Sequence, residues 1–199
     1  MGNGALRFHD TRANASRLLW SDSGVACFAV SARANVLAYA ERAGASIRVH
    51  ALDTLAPVAS LRLPGGVSAA CAGVTALALS RDGTLLAAST ASPDLVLHIL
   101  DASTGEPVAA PARLASEAVA AAFDPHDAHR LLLTHAPAGV LGAHPGVTLH
   151  VVDPAYDHPA IVSRPLLLDA AGVPPAAATA AAWSPEKTAY VGTEDGLVL

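Results

Sequence analysis

Four stretches of the chain repeat one pattern: a hydrophobic strand, a short polar turn and a second hydrophobic strand. They run from Ala29-Val30-Ser31 to Val36-Leu37-Ala38-Tyr39 and from Ala78-Leu79-Ser80 to Leu85-Leu86-Ala87. The other two run from Ala122-Phe123-Asp124 to Leu131-Leu132-Leu133 and from Ala182-Trp183-Ser184 to Tyr190-Val191-Gly192. Their anchors Ser31, Ser80, Asp124 and Ser184 stand 49, 44 and 60 residues apart. A period of roughly 40 to 50 residues with about four strands per unit is the signature of a β-propeller blade. The expected class is therefore all-β, an incomplete ring of about three full blades and two partial ones.

The units fall at 1–22 (partial), 25–63, 74–114, 119–168 and 178–199 (partial). In the second full unit, Ser80-Arg81-Asp82-Gly83-Thr84 makes a hairpin turn in which Gly83 takes a positive φ at little cost. Leu95, Leu97 and Ile99 alternate there with Val96, His98 and Leu100, the period of a strand. Pro107 and Pro111 suit an outer edge, where a ladder donor can be spared. The third full unit carries its extra residues at Ala136 to Gly146, expected as an exposed loop, and a second irregular stretch follows from Asp169 to Ala176. Propellers close with about four to eight blades, so the chain reads as a fragment of a larger ring, or as a half-ring completed by another chain. Open blade faces at both ends predict poor solubility in isolation.

Hydrophobic residues make up 52% of the sequence and aromatic residues 4%, the excess being alanine. Alanine is a poor strand former, so cohesion is expected to rest on the Val, Leu and Ile positions between the alanines. A formal net charge of -5 without a Lys/Arg cluster offers no footprint for nucleic acid. No apolar run approaches the roughly 20 residues of a membrane span. Cys27 and Cys71 stand in small apolar surroundings and read as reduced intracellular thiols, pointing to a cytosolic or cytoskeletal compartment.

Asp10, Asp53, Asp101 and Asp153 are each expected to end the third strand of a unit and to fix the following turn by accepting backbone N–H bonds. His50, His98 and His150 stand three residues before the last three of these and read as equivalent positions on separate blades, which therefore cannot converge on a metal. His126, His129 and His135 lie in or near one hairpin without a cysteine beside them. Ser21-Asp22-Ser23-Gly24 has the residue types of hydrolytic chemistry but reads as a turn between strands, and Trp183 reads as a core residue in the place of Val30, Leu79 and Phe123. No catalytic residue, cofactor or metal site is assigned. Candidate interface residues are Trp20 and, in the long loop, Gly139, Leu141 and His144.

The units resemble WD repeats. Ser80-Arg81-Asp82-Gly83 and Ser184-Pro185-Glu186-Lys187 look like that family's S-P-D-G hairpin, and Leu100-Asp101-Ala102-Ser103-Thr104-Gly105 is similar to its W-D-x-x-T-G ending. His9, Leu52, Leu100 and Val152 stand where its tryptophan would be. A closer resemblance is to the cilia- and flagella-associated WD-repeat proteins numbered 43 and 44, more to the former. It is carried by Val36 to Arg42, by Ser80 to Leu100 with Ser92-Pro93-Asp94, and by Ala182-Trp183-Ser184-Pro185 followed by Tyr190 to Leu199. The resemblance implies an N-terminal piece of a non-enzymatic scaffold in the axoneme of motile cilia or flagella, one that helps tether inner-arm dynein motor heads to doublet microtubules. It implies as partners inner-arm dynein, the doublet-associated complex and a related WD-repeat protein. Two other readings compete: a general cytosolic WD-repeat adaptor, and a lactonase-like propeller enzyme, which needs acidic or histidine residues converging on the central channel.

Overall fold

A computed structural model of the chain describes residues 5–11, 14–42, 46–66, 68, 71–136, 146–153, 159–166, 178–193, 196 and 198. Within them the chain folds into antiparallel meanders, each hairpin joining strands adjacent in sequence. Three are four-stranded: β3(Val25–Ser31)–β4(Val36–Glu41)–β5(Ser46–Ala51)–β6(Pro57–Arg62), β7(Val74–Leu79)–β8(Leu85–Thr90)–β9(Val96–Asp101)–β10(Ala112–Arg113), and β11(Ala118–Asp124)–β12(Asp127–His135)–β13(Val147–Asp153)–β14(Ala160–Leu166). Two-stranded hairpins flank them, β1(Ala5–Asp10)–β2(Ala15–Trp20) before and β15(Ala178–Trp183)–β16(Ala189–Thr193) after. The described strands thus make three complete blades and two half-blades, and no described strand pairs the first hairpin with the last. The expected loop from Ala136 to Gly146 lies, apart from its two ends, outside the described residues, as does the stretch from Asp169 to Ala176.

One irregularity repeats in the four units that carry an anchor. The first two strands of each pair slip register by one residue, at Ala26, Thr75, Val119 and Thr179. Each of these residues stands five before an anchor, at Ser31, Ser80, Asp124 or Ser184. Such a β-bulge tightens the local twist of the innermost strand, which a blade near a propeller axis requires. The anchors close the hairpins that follow. Ser80 Oγ accepts from Leu85 N at 2.9 Å and donates to Asp82, Asp124 accepts from His126 N at 2.9 Å, and Ser184 Oγ accepts from Glu186 N and Thr188 N.

The core lies between blades. Ala29, Ala38, Ile47 and Val49 of the first blade meet Leu77, Leu79, Leu86 and Leu100 of the second. On its other side the second blade presents Ala76, Ala78, Leu97 and Ile99 to Phe123, Leu131 and Leu133 of the third. Leu132 and Val147 then pack on Ala178, Val191 and Trp183 of the last hairpin. Strand β9 is therefore dry on both faces, with Leu97, Ile99 and Leu100 each no more than 1% exposed. Its alternation reflects two neighbouring blades, not a core and a solvent face. Leu95, expected within this strand, instead precedes it at φ 49°.

Alanine plays a larger part than the sequence suggested. Ala38, Ala40, Ala88 and Ala118 are wholly buried, and Ala87 nearly so, so the methyl groups themselves fill the narrow space between inner strands. At the turns the approach is closer still. Gly83 sits at φ 72°, and a Cβ there would collide with the Cβ of Ala34 in the preceding blade. Gly66, at φ 70°, faces open space. Gly83→Ala is expected to cost about 2–3 kcal/mol, combining left-handed strain with overpacking, and Gly66→Ala about 1 kcal/mol from strain alone. Equilibrium urea unfolding of both variants measures the difference.

Candidate functional site

The turn aspartates separate into two registers. Asp101 ends β9 opposite Leu85, and its Oδ1 accepts from Ser103 N, Thr104 N and both of their hydroxyls at 2.6–3.2 Å. The Ser103 hydroxyl first, then the two amides, hold this carboxyl down at about 2. Asp53 does not end its strand: β5 stops at Ala51, which stands opposite Val36 as Asp101 stands opposite Leu85. Two residues further on, Asp53 instead bridges the turn, accepting from Thr54 N at 2.7 Å, while its own N–H donates to Asn35 Oδ1 at 3.0 Å. Asn35 and then Thr54 keep its carboxyl below the usual range. Asp10 closes β1 opposite Ala15. Asp153 closes β13, and its side chain lies outside the described residues.

What aligns these turns is the fourth residue after the strand end. Asn14 follows Asp10 at φ 47°, Leu55 follows Ala51 at φ 58° and Gly105 follows Asp101 at φ 78°. Leu55 N donates to Ala51 O at 2.8 Å and Gly105 N to Asp101 O at 2.9 Å, the same closure in both. A leucine in left-handed conformation is uncommon and carries strain.

The histidines follow the same two-residue offset, which corrects their expected equivalence. His50 and His150 stand opposite Leu37 and Leu131, whereas His98 stands opposite Ala88, the place that Arg48 takes opposite Tyr39. All three are buried. Arg48 bonds Ser60 Oγ at 3.1 Å and pairs with Glu41 at 3.7 Å. Its counterpart His98 lines a cavity with Pro111 and Arg113, and its Nδ1 is left without a hydrogen-bond partner. Desolvation lowers its pKa.

In the third blade the same region forms a chain of hydroxyls and imidazoles. Ser163 Oγ lies 2.8 Å from His150 Nδ1, Thr148 Oγ1 lies 2.7 Å from His150 Nε2 and 2.6 Å from His135 Nε2, and His135 Nδ1 lies 3.2 Å from Ser116 O. The Ser116 carbonyl only accepts, so neutral His135 carries its proton on Nδ1 and accepts on Nε2. Thr148 then donates to His135 and accepts from His150 Nε2–H, and Ser163 donates to His150 Nδ1. With both rings neutral, every group in the chain is satisfied.

Among the described residues no group of three or more His, Cys, Asp or Glu is placed to hold a metal ion, and no helix is long and apolar enough to cross a membrane. Cys27 is pushed up to about 12 by burial, far from the thiolate a nucleophile needs. Trp183 Nε1 donates to Ala122 O at 3.0 Å, and Arg130 lies 5.3 Å over its ring, so this half-buried residue clasps the last hairpin to the third blade. Of the candidate interface residues, Trp20 ends β2 at 61% exposure; Gly139, Leu141 and His144 lie outside the described residues. Trp20 borders a groove of about 470 Å³ shared with Tyr39, Glu41, Arg48, His50 and Val58. Phe28 and Val30, on the face of β3 turned away from the second blade, are also open to solvent. Tyr190 is exposed at the other end.

Burial first, and His135 second, push His150 down to about 4 from an ordinary 6.5. The unfolded chain takes up this proton near pH 6.5 and the folded chain only near pH 4. Stability from this group is thus complete above pH 6.5 and declines as pH falls toward 4, by about 3 kcal/mol in all. Denaturant midpoints measured from pH 7.5 to 4 are expected to fall accordingly, with a shallower fall in His150→Gln.

No family model matches the chain. It is 31% identical over an alignment of 230 residues to cilia- and flagella-associated protein 43 of Chlamydomonas reinhardtii, covering 96% of this chain but only 13% of that protein. Among solved structures it is similar to the β-propeller domain of Myceliophteria thermophila Cps50 (Swd1), with a TM-score of 0.60, 19% identity, and 85% of this chain and 48% of that one covered. A chain of the mitotic checkpoint complex gives 0.55 at 15% identity, covering 98% and 67%. Kluyvelomyces marxianus Hsv2 gives 0.56 at 13%, covering 80% and 51%. The repeated blades, their common bulge and these likenesses establish a β-propeller fold related to WD40-type propellers.

Proposed function

We propose that the chain is a non-enzymatic scaffold that presents propeller surfaces to protein partners. The observation that carries this reading is where the chemistry goes. The turn carboxylates Asp53, Asp82 and Asp101 are engaged in closing hairpins, and the buried histidines of the third blade are engaged with hydroxyls. Meanwhile Trp20, Phe28, Val58 and Tyr190 remain exposed on a rigid frame. Large exposed aromatic and aliphatic groups are the anchors of protein interfaces.

A finer reading places this scaffold in the ciliary or flagellar axoneme. Its support is the 31% identity to cilia- and flagella-associated protein 43, running through 96% of the chain. On that reading its partners are axonemal: inner-arm dynein, the doublet-associated complex and a related WD-repeat protein. The alternative, a WD-repeat adaptor in the cytoplasm, is served equally well by the propeller fold. Fractionation of flagellated cells expressing the tagged chain in its natural context separates the two. Retention on demembranated axonemes is the expected result. A wholly detergent-soluble pool would sink the axonemal reading and leave the adaptor.

A further inference from the structure

The outer strand of the second blade parts from β9 for three residues. Leu100 bridges Pro107 and Val108 N donates to Ile99 O at 2.9 Å, and pairing resumes where Ala112 stands opposite Leu97. Ala109, Ala110 and Pro111 thus stand against the single residue His98, a bulge in the outer strand. The bulged segment is held from elsewhere: Ala109 is buried, and Ala110 N donates to Pro159 O, ahead of β14 in the third blade. Pro111 brings no amide that would need a partner there. Beside the bulge lies a cavity of about 370 Å³, walled by Pro64, Val96 and Pro111 and carrying Asp94, His98 and Arg113.

The fold leaves bonding capacity in this cavity unused. His98 is 5% exposed, and no hydrogen bond among the described residues reaches its ring. The other buried imidazoles differ: His50 Nδ1 lies 2.9 Å from Leu55 O, and both nitrogens of His135 and of His150 are bonded. Burial disfavours the charged ring, so His98 is neutral near pH 7 and offers one N–H and one lone pair. Arg113 is exposed and makes no hydrogen bond or ion pair among the described residues. Asp94 accepts from Ser68 N at 2.8 Å and from the side chains of Ser68 and Cys71. A carboxylate has about four acceptor sites, so capacity remains for a further donor. The lining carries one charge of each sign and no net charge.

We propose that this cavity binds the carboxamide side chain of a glutamine in a peptide segment of a protein partner. The balance of Arg113 against Asp94 selects against charged ligands. A carboxylate only accepts and is opposed by Asp94, while an ammonium only donates and is opposed by Arg113. A carboxamide brings a carbonyl oxygen for guanidinium N–H groups and two N–H groups for acceptors such as the Asp94 carboxylate. It can also give the unsatisfied ring of His98 a donor or an acceptor, whichever the tautomer requires. The ring is recessed, which favours the longer stem of glutamine over that of asparagine, and Pro64, Val96 and Pro111 offer that stem an apolar wall. The proposal rests on the scaffold reading and adds the chemistry of the partner.

The test is fluorescence anisotropy with the full chain and a labelled Gly-Ser-Gly-Gln-Gly-Ser-Gly peptide, compared with peptides carrying Glu or Lys in place of Gln. The Gln peptide is expected to bind saturably, at least about fivefold tighter than either charged one. Arg113→Met is expected to weaken it at least about fivefold, and Arg81→Met, outside the cavity, to leave it unchanged. Unchanged thermal melts in both variants exclude unfolding as the cause. In the unsubstituted chain the ring ¹⁵N resonances of His98 are expected to shift on saturation with the Gln peptide, a readout that needs no variant. No binding, equal affinity for the three peptides, an equal loss in Arg81→Met or unmoved His98 resonances would each overturn the proposal. So would displacement of the peptide by equimolar free glutamine, which would make the cavity a small-molecule site. None of these outcomes touches the axonemal fractionation, so the two readings fail separately.

Discussion

Face-to-face packing of consecutive blades is the constraint on which everything else in this protein depends. A four-stranded meander buries little by itself, since its strands leave two apolar faces and no third layer. Here the second blade is dry on both sides because the first and third cover it, and Leu97, Leu100 and Leu86 owe their burial to that arrangement. Fully burying one such side chain is worth about 1.5–3 kcal/mol. Among the described residues no hydrophobic cluster covers the far face of the first blade, and only the last hairpin covers that of the third. That is why exposed apolar groups collect there: Phe28 and Val30 on the first blade, Tyr190 on the last hairpin.

Packing this close sets the side-chain sizes. Inner strands lined with Ala38, Ala40, Ala87 and Ala88 approach one another more closely than strands lined with leucine would allow. The alanine bias of the sequence is thus a feature of the blade interfaces as well as of composition. The same closeness brings turn against turn, so that Ser31 reaches Arg81 and Trp183 reaches Ala122. The cross-blade polar bonds follow from the apolar packing.

Much of the architecture is legible in the sequence. The four anchors, the strand pairs on either side of them and the outer edges with their prolines all fall where the repeat puts them. Two things are not. One is the bulge at Ala26, Thr75, Val119 and Thr179, which adds a residue without changing residue type. The other is the register of the outer strands. Side chains alternate with a period of two, so a slip of two residues leaves every group on its own face and is invisible to hydrophobic pattern. Asp53 and Asp101 therefore look equivalent in sequence, as do His50 and His98, and neither pair is. The residue that fixes the register is the left-handed one. Gly105 and Asn14 advertise it, while Leu55 conceals it behind a residue type that rarely adopts such a φ.

The concealed register matters to anyone who would build with these units. A consensus blade made by averaging columns aligned on the aspartates would blend two frames, giving each column residues drawn from different places in the turn. Grafting the outer hairpin of the first blade onto the second at Asp53 and Asp101 would delete two residues from a closed loop or add two to it. Aligned instead on Leu55 and Gly105, the two units become interchangeable parts whose seams coincide.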